Sequence, residues 1–135
     1  DPSLVTHPLC VLLVDDNEHV AGLIRQGLAV LSQRSQHPLM FMFHTAANGR
    51  EGLELAAELR PDLMLVDLEL PVLDGRTLIA ELRKQGVEIP IIATSALGDA
   101  GREQALRSGA NLYLPKPMRL RDLGGAVRAV LRLDD

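Results

Sequence analysis

The chain has 135 residues, 47% hydrophobic and 24% charged, a length that suits one domain with its core at about residues 9–133 and needs no disulfide or structural metal to fold. A lone cysteine, Cys10, excludes an internal disulfide and a Cys-rich zinc site and points to a reducing, cytoplasmic setting. A formal net charge of -4, with Phe41, Phe43 and Tyr113 the whole aromatic complement, argues against nucleic-acid binding by this chain, and no apolar run nears the ~20 residues of a membrane span or forms an export leader.

The first strand reads from Leu9 to Val14. Val20, Leu23, Ile24, Gly27, Leu28 and Leu31 then recur at helical spacing, with Asp16 or Asn17 as the cap. The polar stretch from Ser32 to Pro38 reads as a loop, and Leu39 to His44 as a second strand whose Phe41 and Phe43 mark a more exposed edge. A helix from Gly49 to Leu59 stops at Arg60-Pro61, because proline restricts the residue before it to extended conformations. Asp62 to Val66 follows as a strand, and the next helix, Gly75 to Gln85, ends at Gly86. Ile89 to Thr94 is the fourth strand, Asp99 to Ser108 a helix closed by Gly109, Asn111 to Leu114 the fifth strand, and Arg119 to Leu133 the last helix. Most strands are continuously apolar, as in a parallel sheet covered on both faces.

In such a sheet, ligands bind beyond the carboxyl ends of the strands. Asp15-Asp16 closes the first strand, Asp67 the third, Thr94-Ser95 the fourth, and Pro115-Lys116-Pro117 follows the fifth. Three carboxylates gathered there repel one another unless a cation compensates, and an all-oxygen ligand set selects Mg²⁺ over zinc. Magnesium usually binds one or two carboxylates plus a phosphate, so a phosphoryl ligand is expected. Lys116 is its second positive partner, Ser95 a hydrogen-bond donor and Asp67 the nucleophile.

These residues carry a resemblance. Val-Leu-Leu-Val-Asp-Asp at 11 to 16, Leu-Val-Asp-Leu-Glu-Leu-Pro-Val-Leu-Asp-Gly at 65 to 75, Ile-Pro-Ile-Ile-Ala-Thr-Ser-Ala at 89 to 96 and Tyr-Leu-Pro-Lys-Pro at 113 to 117 resemble the receiver domain of bacterial response regulators. The resemblance implies an α/β, flavodoxin-like (βα)5 domain with strand order 2-1-3-4-5, an order that general fold rules already cite for a member of this family. It implies that Asp67 accepts a phosphoryl group from a histidine kinase or phosphotransfer protein and slowly hydrolyses the product. Asp16, Asp15 through water, Asp67 and the backbone carbonyl of Glu69 would hold Mg²⁺. Ser95 and Lys116 would contact the phosphoryl oxygens, Tyr113 would change rotamer with Ser95, and the Lys116–Pro117 peptide would be cis. The readout would be a homodimer or a downstream effector protein.

Plainer roles stand beside these. Asp15-Asp16 could cap the first helix, which explains one acid and not two; Asp74-Gly75 needs only a turn and a cap. Thr94 should point to the face opposite Ser95. His7, His19, His37 and His44 read as structural or solvated. Glu69 departs from the family's more usual neutral or polar residue, and through its charge it is expected to tune the phosphoryl lifetime. Two rival readings remain, a phosphorylation-independent interaction module and a phosphohydrolase acting on small molecules; the latter lacks an evident second acid or base.

Overall fold

Five strands and five helices alternate along residues 8–36 and 39–133, the residues that the computed structural model describes. In chain order they are β1 (Leu9–Val14), α1 (Glu18–Arg34), β2 (Phe41–Ala46), α2 (Gly49–Leu59), β3 (Leu63–Asp67), α3 (Gly75–Lys84), β4 (Ile91–Ser95), α4 (Asp99–Ser108), β5 (Leu112–Pro115) and α5 (Leu120–Leu131). All strand pairings are parallel and the order is β2-β1-β3-β4-β5, the flavodoxin-like arrangement expected from the sequence.

Alternation along each strand divides the core into two layers. Leu12, Val14, Met64, Val66, Ile91 and Ala93 pack against Ala56 of α2, Leu78, Ile79 and Leu82 of α3 and Ala105 of α4. Val11, Leu13, Leu63, Leu65 and Ile92 face the other way, onto Ile24, Leu28 and Leu31 of α1 and Leu123, Ala126 and Val127 of α5. The three central strands are buried from end to end apart from the start of β1. The edge strand β2 is not, and Met42 is half exposed.

Side-chain caps explain where the first three helices begin. Asn17 accepts from the His19 and Val20 N–H groups, Asn48 from Glu51 N–H and Asp74 from Thr77 N–H. At the other end of α2, Arg60 adopts a left-handed conformation before Pro61 and not the extended one expected there, closing the helix as Gly109 does after α4. Strands β3, β4 and β5 and helices α3 and α5 shift from their expected bounds by one or two residues, β4 to Ile91–Ser95 for example, and α1 and β2 need correction as well. Helix α1 runs through Arg34, so the first three residues of the polar stretch from Ser32 are helical, the amphipathic stripe having outlasted its last apolar member. Strand β2 begins two residues later than its apolar run, because pairing with β1 aligns Leu9 with Phe41. His37 and Pro38 of that stretch, like His7, lie outside the described residues. No helix among the described residues is long and apolar enough to cross a membrane.

Candidate functional site

Parallel register brings four strand ends to one rim. Val14 aligns with Val66, Asp67 with Thr94 and Ser95 with Pro115, so Asp15, Asp67, Ser95 and Lys116 stand side by side although the chain separates them widely. Lys116 Nζ lies 3.1 Å from Asp15 Oδ2 and 3.1 Å from Asp67 Oδ2. One carboxylate oxygen from each of Asp15, Asp16 and Asp67 falls within 4.8 Å of the others. Asp15 and Asp67 are buried while Asp16 is exposed, so the cluster opens to solvent on the Asp16 side.

The charges at this rim do not balance. Burial pushes the Asp67 carboxyl above its ordinary range, and neither the Glu69 N–H nor Lys116 brings it back, with Asp15 adding repulsion. Burial also works against the Lys116 ammonium, yet Asp15 and Asp67 outweigh it and hold its pKa above the usual lysine value. An isolated ion pair would lower its acid; here a single ammonium is divided between two buried carboxylates. Asp15, Asp16 and Asp67 thus form an oxygen-only set in want of positive charge, and that donor set fits a hard divalent cation such as Mg²⁺.

Local structure aims these carboxylates. Asn17 N–H donates to Asp15 Oδ1 at 2.9 Å and Glu69 N–H to Asp67 Oδ1 at 3.0 Å. Because Asn17 caps α1, Asp16 is left with no capping duty. The turn out of β3 folds back tightly: Gly75 N–H donates to Leu68 O, and a Cβ on Gly75 would sit 2.2 Å from the Asp67 carbonyl oxygen. Only glycine permits that approach. Between them Val72, exposed and β-branched, has φ 70, a conformation unusual for such a residue.

On the β4 side, Ser95 Oγ donates to Glu69 Oε2 at 2.8 Å and accepts from Leu97 N–H at 2.9 Å. Ala96 N–H reaches the other Glu69 carboxylate oxygen at 3.3 Å. Tyr113 is buried, and its hydroxyl donates to the Ser95 carbonyl at 3.2 Å. Helix α4 passes close enough that a Cβ on Gly101 would lie 2.6 Å from the Tyr113 hydroxyl and 2.9 Å from Ser95 Oγ. Thr94 Oγ1 is buried with no hydrogen-bond partner among the described residues, so Ser95 is the hydroxyl that meets the rim. The Lys116–Pro117 peptide is cis.

The structure thus gathers Asp15, Asp16, Asp67 and Lys116 at this rim, with Ser95 and the Glu69 side chain joined beside them and Tyr113 behind Ser95. His19, exposed in the first turn of α1, and half-buried His44 of β2 are not among the residues that meet there. What sequence reasoning missed is the path of the Glu69 side chain, which turns to Ser95 and Ala96. The signal was the β3–β4 register: with Asp67 opposite Thr94 and Leu68 N–H donating to Thr94 O, carrying the alignment two residues past Asp67 and Thr94 sets Glu69 beside Ala96.

Comparison with known proteins agrees with this geometry. The family model for the response regulator receiver domain matches residues 11–128. Response regulator MprA of Mycolicibacterium vanbaalenii is 35% identical over 126 residues, covering 93% of this chain and 51% of that protein. Transcriptional regulatory protein PrrA of Mycobacterium tuberculosis is 36% identical over 129 residues, covering 95% and 52%. The chain thus spans about half the length of these curated relatives. Among solved structures, the receiver domain of the sensor histidine kinase PA1611 from Pseudomonas aeruginosa, with a magnesium ion coordinated in its active-site cleft, superposes with a TM-score of 0.79 at 31% identity, covering 93% of this chain and 99% of that one. A response regulator from Chloroflexus aurantiacus gives a TM-score of 0.81 at 29% identity, covering 93% and 99%. The chain belongs to the response regulator receiver domain family of two-component signalling.

Proposed function

We propose that this receiver domain, with its core at residues 9–133, is a cytoplasmic phosphoacceptor switch and that Asp67 is the acceptor. The observation that carries this reading is Lys116 Nζ, 3.1 Å from both Asp15 and Asp67, on a rim where three carboxylates crowd together. In the reaction, an Asp67 carboxylate oxygen attacks the phosphorus of a phosphohistidine on a sensor kinase or phosphotransfer protein. The P–O bond forms, the P–N bond breaks, and the imidazole leaves with the electron pair. Lys116 and Ser95 contact the transferred phosphoryl oxygens; positioning and charge compensation are where phosphoryl transfer gains its rate. Asp16, Asp15 through water, Asp67 and the Glu69 backbone carbonyl would hold Mg²⁺, which would neutralise charge that Lys116 alone leaves uncompensated. Water then slowly hydrolyses the aspartyl phosphate. A new dianion beside Ser95 biases Tyr113 and the surface around β4, α4 and β5, and a homodimer or an effector protein reads that surface.

The test is intact mass after incubation with Mg²⁺ and acetyl phosphate, on the wild type and Asp67→Asn in parallel. One labile phosphoryl adduct in the wild type only, abolished by chelator, is expected; an adduct that survives in Asp67→Asn rejects Asp67 as the acceptor. A second reading, an interaction module that works without phosphorylation, draws on one observation: Ser95 already donates to an anion, the Glu69 carboxylate. A folded wild type that takes no adduct from acetyl phosphate or from a phosphorylated histidine kinase would favour it.

A further inference from the structure

Glu69 stands in an unusual relation to the switch residues. Its backbone N–H supports Asp67 Oδ1, while its side chain crosses to β4 and accepts from Ser95 Oγ and Ala96 N–H. Those two donors are the neutral hydrogen-bonding groups at the β4 end of the rim. A phosphoryl group on Asp67, only two residues away, would need donors in this same place, since its oxygens carry most of its charge. The Glu69 carboxylate, an anion with two acceptor oxygens, occupies them first. Consistent with an occupied position, Ser95 is fully buried, its carbonyl accepts from the Tyr113 hydroxyl and the Lys116 N–H, and Tyr113 is buried with the Arg102 guanidinium 5.3 Å from its ring centroid.

We propose that Glu69 is a positioning residue that acts as an internal stand-in for the phosphoryl group, holding Ser95 and Tyr113 inward in the unmodified protein and yielding its two donors when Asp67 is modified. This goes beyond an effect of charge on phosphoryl lifetime, because it assigns the carboxylate a place and a partner before any phosphoryl group arrives. The part concerning displacement rests on the reading of Asp67 as phosphoacceptor; the part concerning the unmodified protein does not. The Glu69 residue is solvent-exposed, so the latch is weak enough for a covalently attached dianion to displace. It biases an equilibrium and does not lock it.

The chain contains one tyrosine and no tryptophan, so Tyr113 is its own reporter. Fluorine NMR of protein labelled with fluorotyrosine, without phosphodonor or metal, should give Glu69→Ala a resonance displaced toward the exposed position, with a several-fold loss of the inward population. Glu69→Gln, which keeps an acceptor oxygen, should recover at least part of the wild-type position. Ser95→Ala removes the donor and should produce a displacement that does not add to that of Glu69→Ala in the double variant. A Glu69→Ala spectrum that coincides with wild type overturns the proposal, as does full additivity. In a second arm, mass-detected modification by acetyl phosphate with Mg²⁺ should be several-fold faster in Glu69→Ala than in wild type; an equal or slower rate overturns the claim of displacement. If no variant is modified but the resonance still moves, the phosphoacceptor reading fails and the latch stands.

Discussion

At the amino end of β4, Arg83 sends its guanidinium to three acceptors, the Gly109 carbonyl at 3.0 Å, the Val87 carbonyl at 2.8 Å and Asn111 Oδ1 at 2.9 Å. Asn111 Oδ1 accepts from Ile91 N–H as well, so this end ties α3, α4, β4 and the start of β5 together. At the carboxyl end Lys116 is divided between two buried carboxylates, with Asp16 close by. The first arrangement is complete within the chain. The second leaves acid in excess of base, and a buried group held that way opposes folding. The contrast separates a part built for stability from a part left short of positive charge.

Arg83→Met sharpens this contrast with the largest effect. It orphans the Gly109 and Val87 carbonyls and takes from Asn111 Oδ1 one of its two donors at a half-buried junction, and about 2–3 kcal/mol of unfolding free energy should be lost. The checks are urea melts together with modification by acetyl phosphate, which should proceed at the wild-type rate in the folded variant because the site lies at the other end of the sheet. Lys116→Met comes next. Its side chain is 21% exposed, and its loss leaves Asp15 and Asp67 facing each other without their shared cation, so about 2 kcal/mol should go, along with the acetyl phosphate reaction. The sign with pH follows from the raised Lys116 value. The folded state holds that proton more tightly than the unfolded state, so the contribution is complete below the ordinary lysine pKa and lost as pH rises through the raised one. The wild type and Lys116→Met should therefore converge in stability at strongly alkaline pH.

Much of this contrast is legible in the sequence. Asp15 and Asp67 directly follow short apolar runs, and Asp16 and Lys116 stand one residue further on; a parallel sheet has only one rim at which such endings can meet. Helices α2 and α4 match their expected bounds because Asn48, Pro61 and Gly109 punctuate them. Strand β2 is displaced by two residues from its apolar run because it is an edge: Met40 is apolar but exposed, and pairing with β1, not burial, sets its bounds at Phe41–Ala46. The Glu69 contact was missed for a different reason. A glutamate on a surface turn has several torsions, and only the pairing of β3 with β4 decides which neighbours its carboxylate meets. The Arg83 junction was likewise invisible, since it depends on where α3 ends relative to Gly109 and Asn111, 26 and 28 residues further along the chain.

Asp67→Asn tests the other side of the contrast, because it should stabilise the protein. The Asp67 pKa is raised in the folded state by burial, so the charged form opposes folding at neutral pH, and the penalty lifts as pH falls through the raised value. Replacing the carboxylate by an amide should add about 1 kcal/mol at neutral pH and nothing at pH low enough to protonate Asp67, as read by urea melts along a pH series. Added Mg²⁺ should raise the wild-type melting temperature through preferential binding to the native state, and should do so less in Asp67→Asn.

Asp74→Ala gives an effect of similar size and the opposite pH sign, seven residues after Asp67 at the far end of the turn between β3 and α3. Asp74 accepts from Thr77 N–H at 2.8 Å as the α3 cap, and that bond, ahead of Arg76, holds its carboxyl below the usual range against a partial loss of solvation. A depressed folded pKa means that the stabilisation is complete above the ordinary carboxylate value and disappears as pH falls through the lower one. The variant should lose about 1 kcal/mol at neutral pH, a figure typical of a cap, and the gap to wild type should close on acidification. Because Asp74 is 39% exposed, solvent screens its pairing with Arg76, and added salt should leave most of the difference in place. Two aspartates flanking one turn would then titrate with opposite consequences, Asp67 relieving a penalty and Asp74 surrendering a cap, because burial outweighs the backbone donor at the first and the backbone donor outweighs burial at the second.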